Sequence, residues 1–196
     1  VIENKRIETA EQSAAEEQIQ AEITFREELI EEAVCKELGL SKTDKITASM
    51  LENVRKLRIV GKEFLDDEDT FWGEGHHVDG KDSSFGSVRG NIIDLSDLAQ
   101  MVNLEELALC NQKIEDISGL KELPLKKLYL SKNMITDFSV LLNLIDLDTL
   151  CIVENPAENL SVIGECTGIL RLNIQGMNLT DIDFLKNLSL DYLDMS

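Results

Sequence analysis

The sequence predicts an α/β solenoid: a curved parallel sheet, short 3₁₀ or irregular turns on its convex side, and an α-helical cap at its N-terminal end. Three observations predict it. A leucine-centred stretch returns at a fixed period. Within each copy, apolar positions alternate as a half-buried strand requires. A stretch with helical apolar spacing comes just before the first strand and is placed to cover the end of the hydrophobic tube, which a solenoid cannot leave bare.

The clearest copy is Leu104-Glu-Glu-Leu107-Ala-Leu109-Cys-Asn-Gln112-Lys-Ile114. It returns as Leu125-Lys-Lys-Leu128-Tyr-Leu130-Ser-Lys-Asn133-Met-Ile135, and again as Leu147-Asp-Thr-Leu150-Cys-Ile152-Val-Glu-Asn155-Pro-Ala157. A fourth copy begins at Ile169 and a fifth, incomplete, at Leu190. The starts 104, 125, 147, 169 and 190 step by 21 or 22 residues, the period of a leucine-rich repeat. In each unit the leucines of one short strand point inward and the residues between them point to solvent. An Asn where the chain leaves the strand, Asn133 or Asn155, can bond the backbone of neighbouring turns. Gln112 and Met177 take that slot in other copies, so the Asn ladder is expected to be imperfect. The return stretches, such as Asp116-Ile-Ser-Gly-Leu120, are too short for a long helix.

Taken in order, residues 1–24 are a Glu/Gln/Ala-rich leader, helical or flexible, with no apolar stripe in its first part. Residues 25–53 form the helical cap: Phe25, Leu29, Ile30, Ala33, Val34 and Leu38 share a helical face, Gly39 stops it, and a second short helix follows, capped by Thr47 or Ser49. The repeats occupy 54–196, and Val54, Leu57 and Ile59 carry the first strand. An acidic insertion at about 65–90 separates this strand from the regular copies, with seven carboxylates against Lys81 over 65–82. Its far end is read as a degenerate repeat, with Phe85 and Ser87 on a strand and Ile92 and Leu95 closing the turn.

Composition narrows the function. A net charge of -19 over 196 residues argues against nucleic acid and anionic membranes, because phosphate recognition needs a basic face. No apolar run reaches the ~18 residues of a membrane span. Cys35, Cys110, Cys151 and Cys166 show no ligand spacing and read as free, space-filling thiols. The start at Val1 suggests a trimmed piece of a longer protein. His76-His77 and the acidic run from Asp66 lack metal-site spacing, so no metal and no cofactor is expected. Nor does any nucleophile–base motif or acid/base carboxylate pair point to an enzyme.

The LxxLxLxxNxIxDIxxL units, best seen over 104–120 and 125–141, resemble the internalin-type leucine-rich repeats of bacterial surface proteins, and residues 25–54 resemble the N-terminal cap before such arrays. The resemblance implies a curved solenoid that binds another protein on its concave sheet. It departs from the family at the acidic insertion, at Met177 and at the missing C-terminal cap.

The concave side can be listed as columns. One holds Lys56, Glu106, Lys127, Thr149, Arg171 and Tyr192; the next holds Arg58, Ala108, Tyr129, Cys151, Asn173 and Asp194. From these, Lys56, Arg58, Lys127, Tyr129, Thr149, Cys151, Arg171, Asn173 and Tyr192 are the candidate contacts for an acidic or mixed protein segment, with Tyr129 as its anchor. The expected function is a non-catalytic protein-interaction module in a larger surface or secreted protein. An intracellular scaffold or regulatory subunit is the alternative, and a hydrolase with its site in the insertion a remote one. Self-association through the uncapped last strand is a further option. Location stays open between cell surface and cytoplasm.

Overall fold

The computed structural model describes residues 21–65, 88–157, 160–177 and 179–196. The leader up to 20 and most of the insertion, including His76, His77, Phe85 and Ser87, lie outside the described residues.

The cap begins with α1 (Glu28–Leu38), which buries Ile30, Ala33, Val34 and Cys35. Gly39 ends it in the left-handed region at φ +67°, where a residue without Cβ is unstrained. The turn is closed by Leu40 N–H donating to the Cys35 carbonyl at 2.8 Å. The second helix, α2 (Ala48–Leu51), starts after Thr47 as expected. The Thr47 hydroxyl nevertheless bonds the Ser49 hydroxyl at 3.0 Å instead of a helix N–H. A short backbone bridge, Glu22 to Thr47, ties the approach to α1 against α2.

The sheet holds seven strands among the described residues: β1 (Lys56–Val60), β2 (Glu63–Phe64), β3 (Glu106–Cys110), β4 (Lys127–Tyr129), β5 (Thr149–Cys151), β6 (Arg171–Asn173) and β7 (Tyr192–Asp194). Their order is β2-β1-β3-β4-β5-β6-β7; every pairing is parallel except β1 with β2. Return stretches carry 3₁₀ turns at Ser96–Gln100, Ser118–Leu120, Ser139–Asn143, Ser161–Glu165 and Asp183–Asn187. An Asp two residues before several of them accepts an N–H at the turn's start, as Asp116 does from Ser118 at 2.8 Å. That bond holds the Asp116 carboxyl below the usual carboxylate range.

β1 pairs directly with β3, Lys56 beside Glu106 through Val60 beside Cys110, so no described strand lies between them. The strand read at Phe85 and Ser87 lies outside the described residues. Ile92 and Leu95 do close the first unit: both are buried, and Lys113 N–H donates to the Ile92 carbonyl at 3.1 Å.

The main core is one aliphatic tube from Ile30 to Phe184. Leu107, Leu128, Leu150 and Leu172 stack through it at adjacent register positions. At the last strand Leu193 is 39% exposed.

The Asn ladder is more complete than residue types suggest. Asn133 donates to the carbonyls of Leu109 (2.7 Å) and Leu130 (2.9 Å) and accepts from Ile114 N–H at 3.2 Å. Asn155 repeats the pattern with Leu130, Ile152 and Ile135. Gln112 fills the same role, donating to the Gly61 and Cys110 carbonyls and accepting from Ile92 N–H. Its extra methylene fits because Gly90 has no side chain: a Cβ there would sit 1.9 Å from the Gln112 Oε1. The ladder stops at Met177, whose sulfur takes the Asn155 N–H at 3.3 Å.

Candidate protein-binding face

The face of the sheet opposite the tube carries its own apolar cluster. Val60, Ala108, Cys110, Tyr129, Cys151 and Val153 form it, with Leu65 and Tyr192 packed at its edges. Most of these residues lie on strands, where side chains alternate: Leu107 and Leu109 go to the tube, Ala108 and Cys110 to the other side.

The strand register brings the expected columns together. Lys56, Glu106, Lys127, Thr149, Arg171 and Tyr192 are successive partners, and so are Arg58, Ala108, Tyr129, Cys151, Asn173 and Asp194. Exposure divides the nine candidates. Arg171 is exposed, and Lys56, Arg58, Lys127 and Tyr192 are partly so. Tyr129, Thr149, Cys151 and Asn173 are buried. Tyr129, expected as a solvent-facing anchor, is 0% exposed. A ring in the centre of a closed apolar cluster contributes to stability whatever it contributes to binding.

Electrostatics is local. The Arg58 Nε donates to a Glu106 carboxylate oxygen, and both side chains are nearly buried. At the other end the Arg171 guanidinium lies 5.8 Å from the centre of the Tyr192 ring, within cation–π range. The two buried thiols are space-fillers with polar company. Ser131 Oγ is 3.2 Å from Cys151 Sγ, and the Cys110 thiol donates to the Tyr129 carbonyl at 3.6 Å. Burial pushes the Cys151 pKa up to about 11, and that of Cys110 further. Burial disfavours the thiolate form of both.

A solved structure of internalin C2 from Listeria monocytogenes aligns with 88% of this chain and 94% of its own, at 21% identity and a TM-score of 0.51. The internalin InlF of the same organism aligns with 86% of this chain at 24% identity and a TM-score of 0.52. The chain has the internalin leucine-rich repeat fold. It spans 56% of the InlF structure, so what InlF does as a whole does not transfer with the fold. No protein-family model matches the sequence, and no curated protein matches it.

Within this internalin-like solenoid, sequence columns missed two partners of the face. Glu106 was placed beside the candidates, yet it neutralises Arg58; opposite charges at adjacent register positions are the signal for such a pair. Leu65 packs on the cluster from beyond β2, where no repeat register predicts it. Among the described residues no group of His, Cys, Asp and Glu is arranged to hold a metal. No described helix is long and apolar enough to cross a membrane.

Proposed function

We propose that this chain is a non-catalytic protein-interaction module that binds through the concave sheet face, as part of a larger bacterial surface or secreted protein. The observation that supports the reading is that the solvent-reachable Lys127, Arg171 and Tyr192 share one register column on that face, at the edge of an apolar cluster whose own members are buried. Lys56, Lys127, Arg171 and Tyr192 border it and are reachable from solvent. The likeness to internalins supports a protein ligand and a surface setting. The four free cysteines favour the second reading, an intracellular scaffold of the same architecture.

The test places a photo-crosslinking residue at position 171, and separately at Thr136 on a return stretch. A ligand trapped at 171 and not at 136, whose purified form then binds a Lys127→Glu/Arg171→Glu variant at least tenfold more weakly, supports the concave face. Equal trapping at both positions sinks it.

A further inference from the structure

Cations recur at a fixed interval across the concave face. Lys56, Lys127 and Arg171 occupy one register column on β1, β4 and β6, with Glu106 of β3 and Thr149 of β5 between them. Adjacent strands lie about 4.8 Å apart, so successive cations of the column stand roughly 9.6 Å apart at the backbone. Thr149 is buried, and the Glu106 carboxylate accepts from the Arg58 Nε. Lys56 and Lys127 are partly exposed and Arg171 is exposed. With the neighbouring column, which adds Arg58 and Asp194, the face carries four cations against two carboxylates, in a chain of 19 bases and 38 acids. This face thus runs against the charge of the whole chain, and its complement is an acidic ligand.

The interval bears on the backbone of such a ligand. In a polyproline II helix every third residue returns to the same side, so carboxylates three apart lie about 9.3 Å from each other. A β-strand returns to one side after two residues, about 6.7 Å, or after four, about 13 Å. An α-helix brings a residue back to the same face after seven, about 10.5 Å. A concave sheet sets side-chain tips closer together than the backbones that carry them, which leaves about 9.3 Å as the match. Tyr192 continues the column beyond Arg171, partly exposed, with its ring centre 5.8 Å from the guanidinium. Proline rings of polyproline II ligands dock on aromatic side chains of this kind.

Resting on the concave-face reading above, we infer that the ligand is an acidic, proline-rich segment in polyproline II form. A carboxylate at every third residue faces Lys56, Lys127 and Arg171 in turn.

Twelve-residue fluorescent peptides titrated with the intact chain at 50 mM salt test this by anisotropy. The probes are four copies of Glu-Pro-Pro, a peptide of the same composition with its four Glu contiguous, and four copies of Lys-Pro-Pro. The first is expected to bind at least tenfold more tightly than the second, and the third not to bind. Salt at 500 mM should weaken the first by tenfold or more. Lys127→Gln and Arg171→Gln each remove one exposed pair and should cost about threefold to fivefold, and the double variant about tenfold or more. Lys126→Gln, whose charge lies outside the column and meets Glu105 at 2.8 Å, should leave binding unchanged. No binding of the Glu-Pro-Pro repeats, equal affinity for the contiguous peptide, or full binding by the double variant overturns the assignment. So does a natural ligand that is trapped at position 171 but is neither acidic nor salt-sensitive, and that result leaves the concave-face reading standing. Equal trapping at 171 and 136 removes the face itself.

Discussion

Replacing Asn133 by Ala is expected to destabilise the chain by about 2–4 kcal/mol, since one buried side chain serves three backbone groups and each orphaned group costs roughly 1–3 kcal/mol, offset in part by relaxation. The Ile114 N–H and the Leu109 carbonyl lose this partner, in a buried setting with Asn133 itself 5% exposed, while the Leu130 carbonyl keeps Asn155 as a donor at 2.9 Å. Stability in a solenoid is a sum of repeat and neighbour-interface terms. Weakening one interface should therefore lower the urea midpoint and also broaden the transition as the array parts between β3 and β4. Hydrogen exchange at Ile114 should speed up more than exchange in α1. Asn133→Asp sharpens the test: it keeps the acceptor for Ile114 N–H but turns a carboxylate towards two carbonyls, so it should be at least as damaging as Ala. A loss below about 0.5 kcal/mol for either variant, typical of a neutral surface change, would show that the ladder is not a stabilising element.

The same ladder shows what could be read from residues and what could not. Leucine spacing and period are properties of the chain alone, and they predict the strands, their parallel order and the short returns. Asn133 and Asn155 announce their bonds because a short amide at a strand exit has few other uses. Gln112 does not announce its bonds. Whether a longer amide fits depends on Gly90, which lies far along the chain from Gly61, beyond the acidic insertion. Direct pairing of β1 with β3 is what the column order already implies, Lys56 beside Glu106 and Arg58 beside Ala108. The binding face divides likewise. Alternation says that Tyr129 leaves the tube; it cannot say that the other side of the sheet is closed around it. The exposed Leu142 and Ile145 carry no periodic signal, since the consensus places no demand on that part of the return.

The junction between cap and repeats depends on two acids that no repeat pattern singles out, and it carries the second large prediction. Asp97, 8% exposed, accepts the Arg26 N–H at 2.9 Å and the Glu27 N–H at 2.9 Å. Glu27, 7% exposed, reaches the other way and accepts the Ile93 and Asp94 N–H groups, both at 2.8 Å. Each carboxylate thus ties the start of α1 to the return stretch of the first repeat, and an outer ion pair, Arg26 with Asp94 at 2.9 Å, lies beside them. Hydrogen bonds to a charged group contribute about 1.5–3 kcal/mol each to a buried site, against about 0–1 for the exposed ion pair. Asp97→Ala should accordingly cost about 3 kcal/mol, whereas Arg26→Ala should cost under 1. Because α1 covers the apolar end of the tube through Ile30, Ala33 and Val34, the damage should appear first as local opening. Amide exchange across Glu28–Leu38 should accelerate by a hundredfold or more while exchange in β4 to β6 stays near the parent rate. Asp97→Asn should restore part of the loss, since its amide oxygen can take the Oδ2 place that accepts both 2.9 Å bonds, leaving unmet only the 3.1 Å arm from the Arg26 N–H. Equal acceleration throughout the array would mean that cap and repeats unfold as one unit and that the two carboxylates do not form a separable clamp.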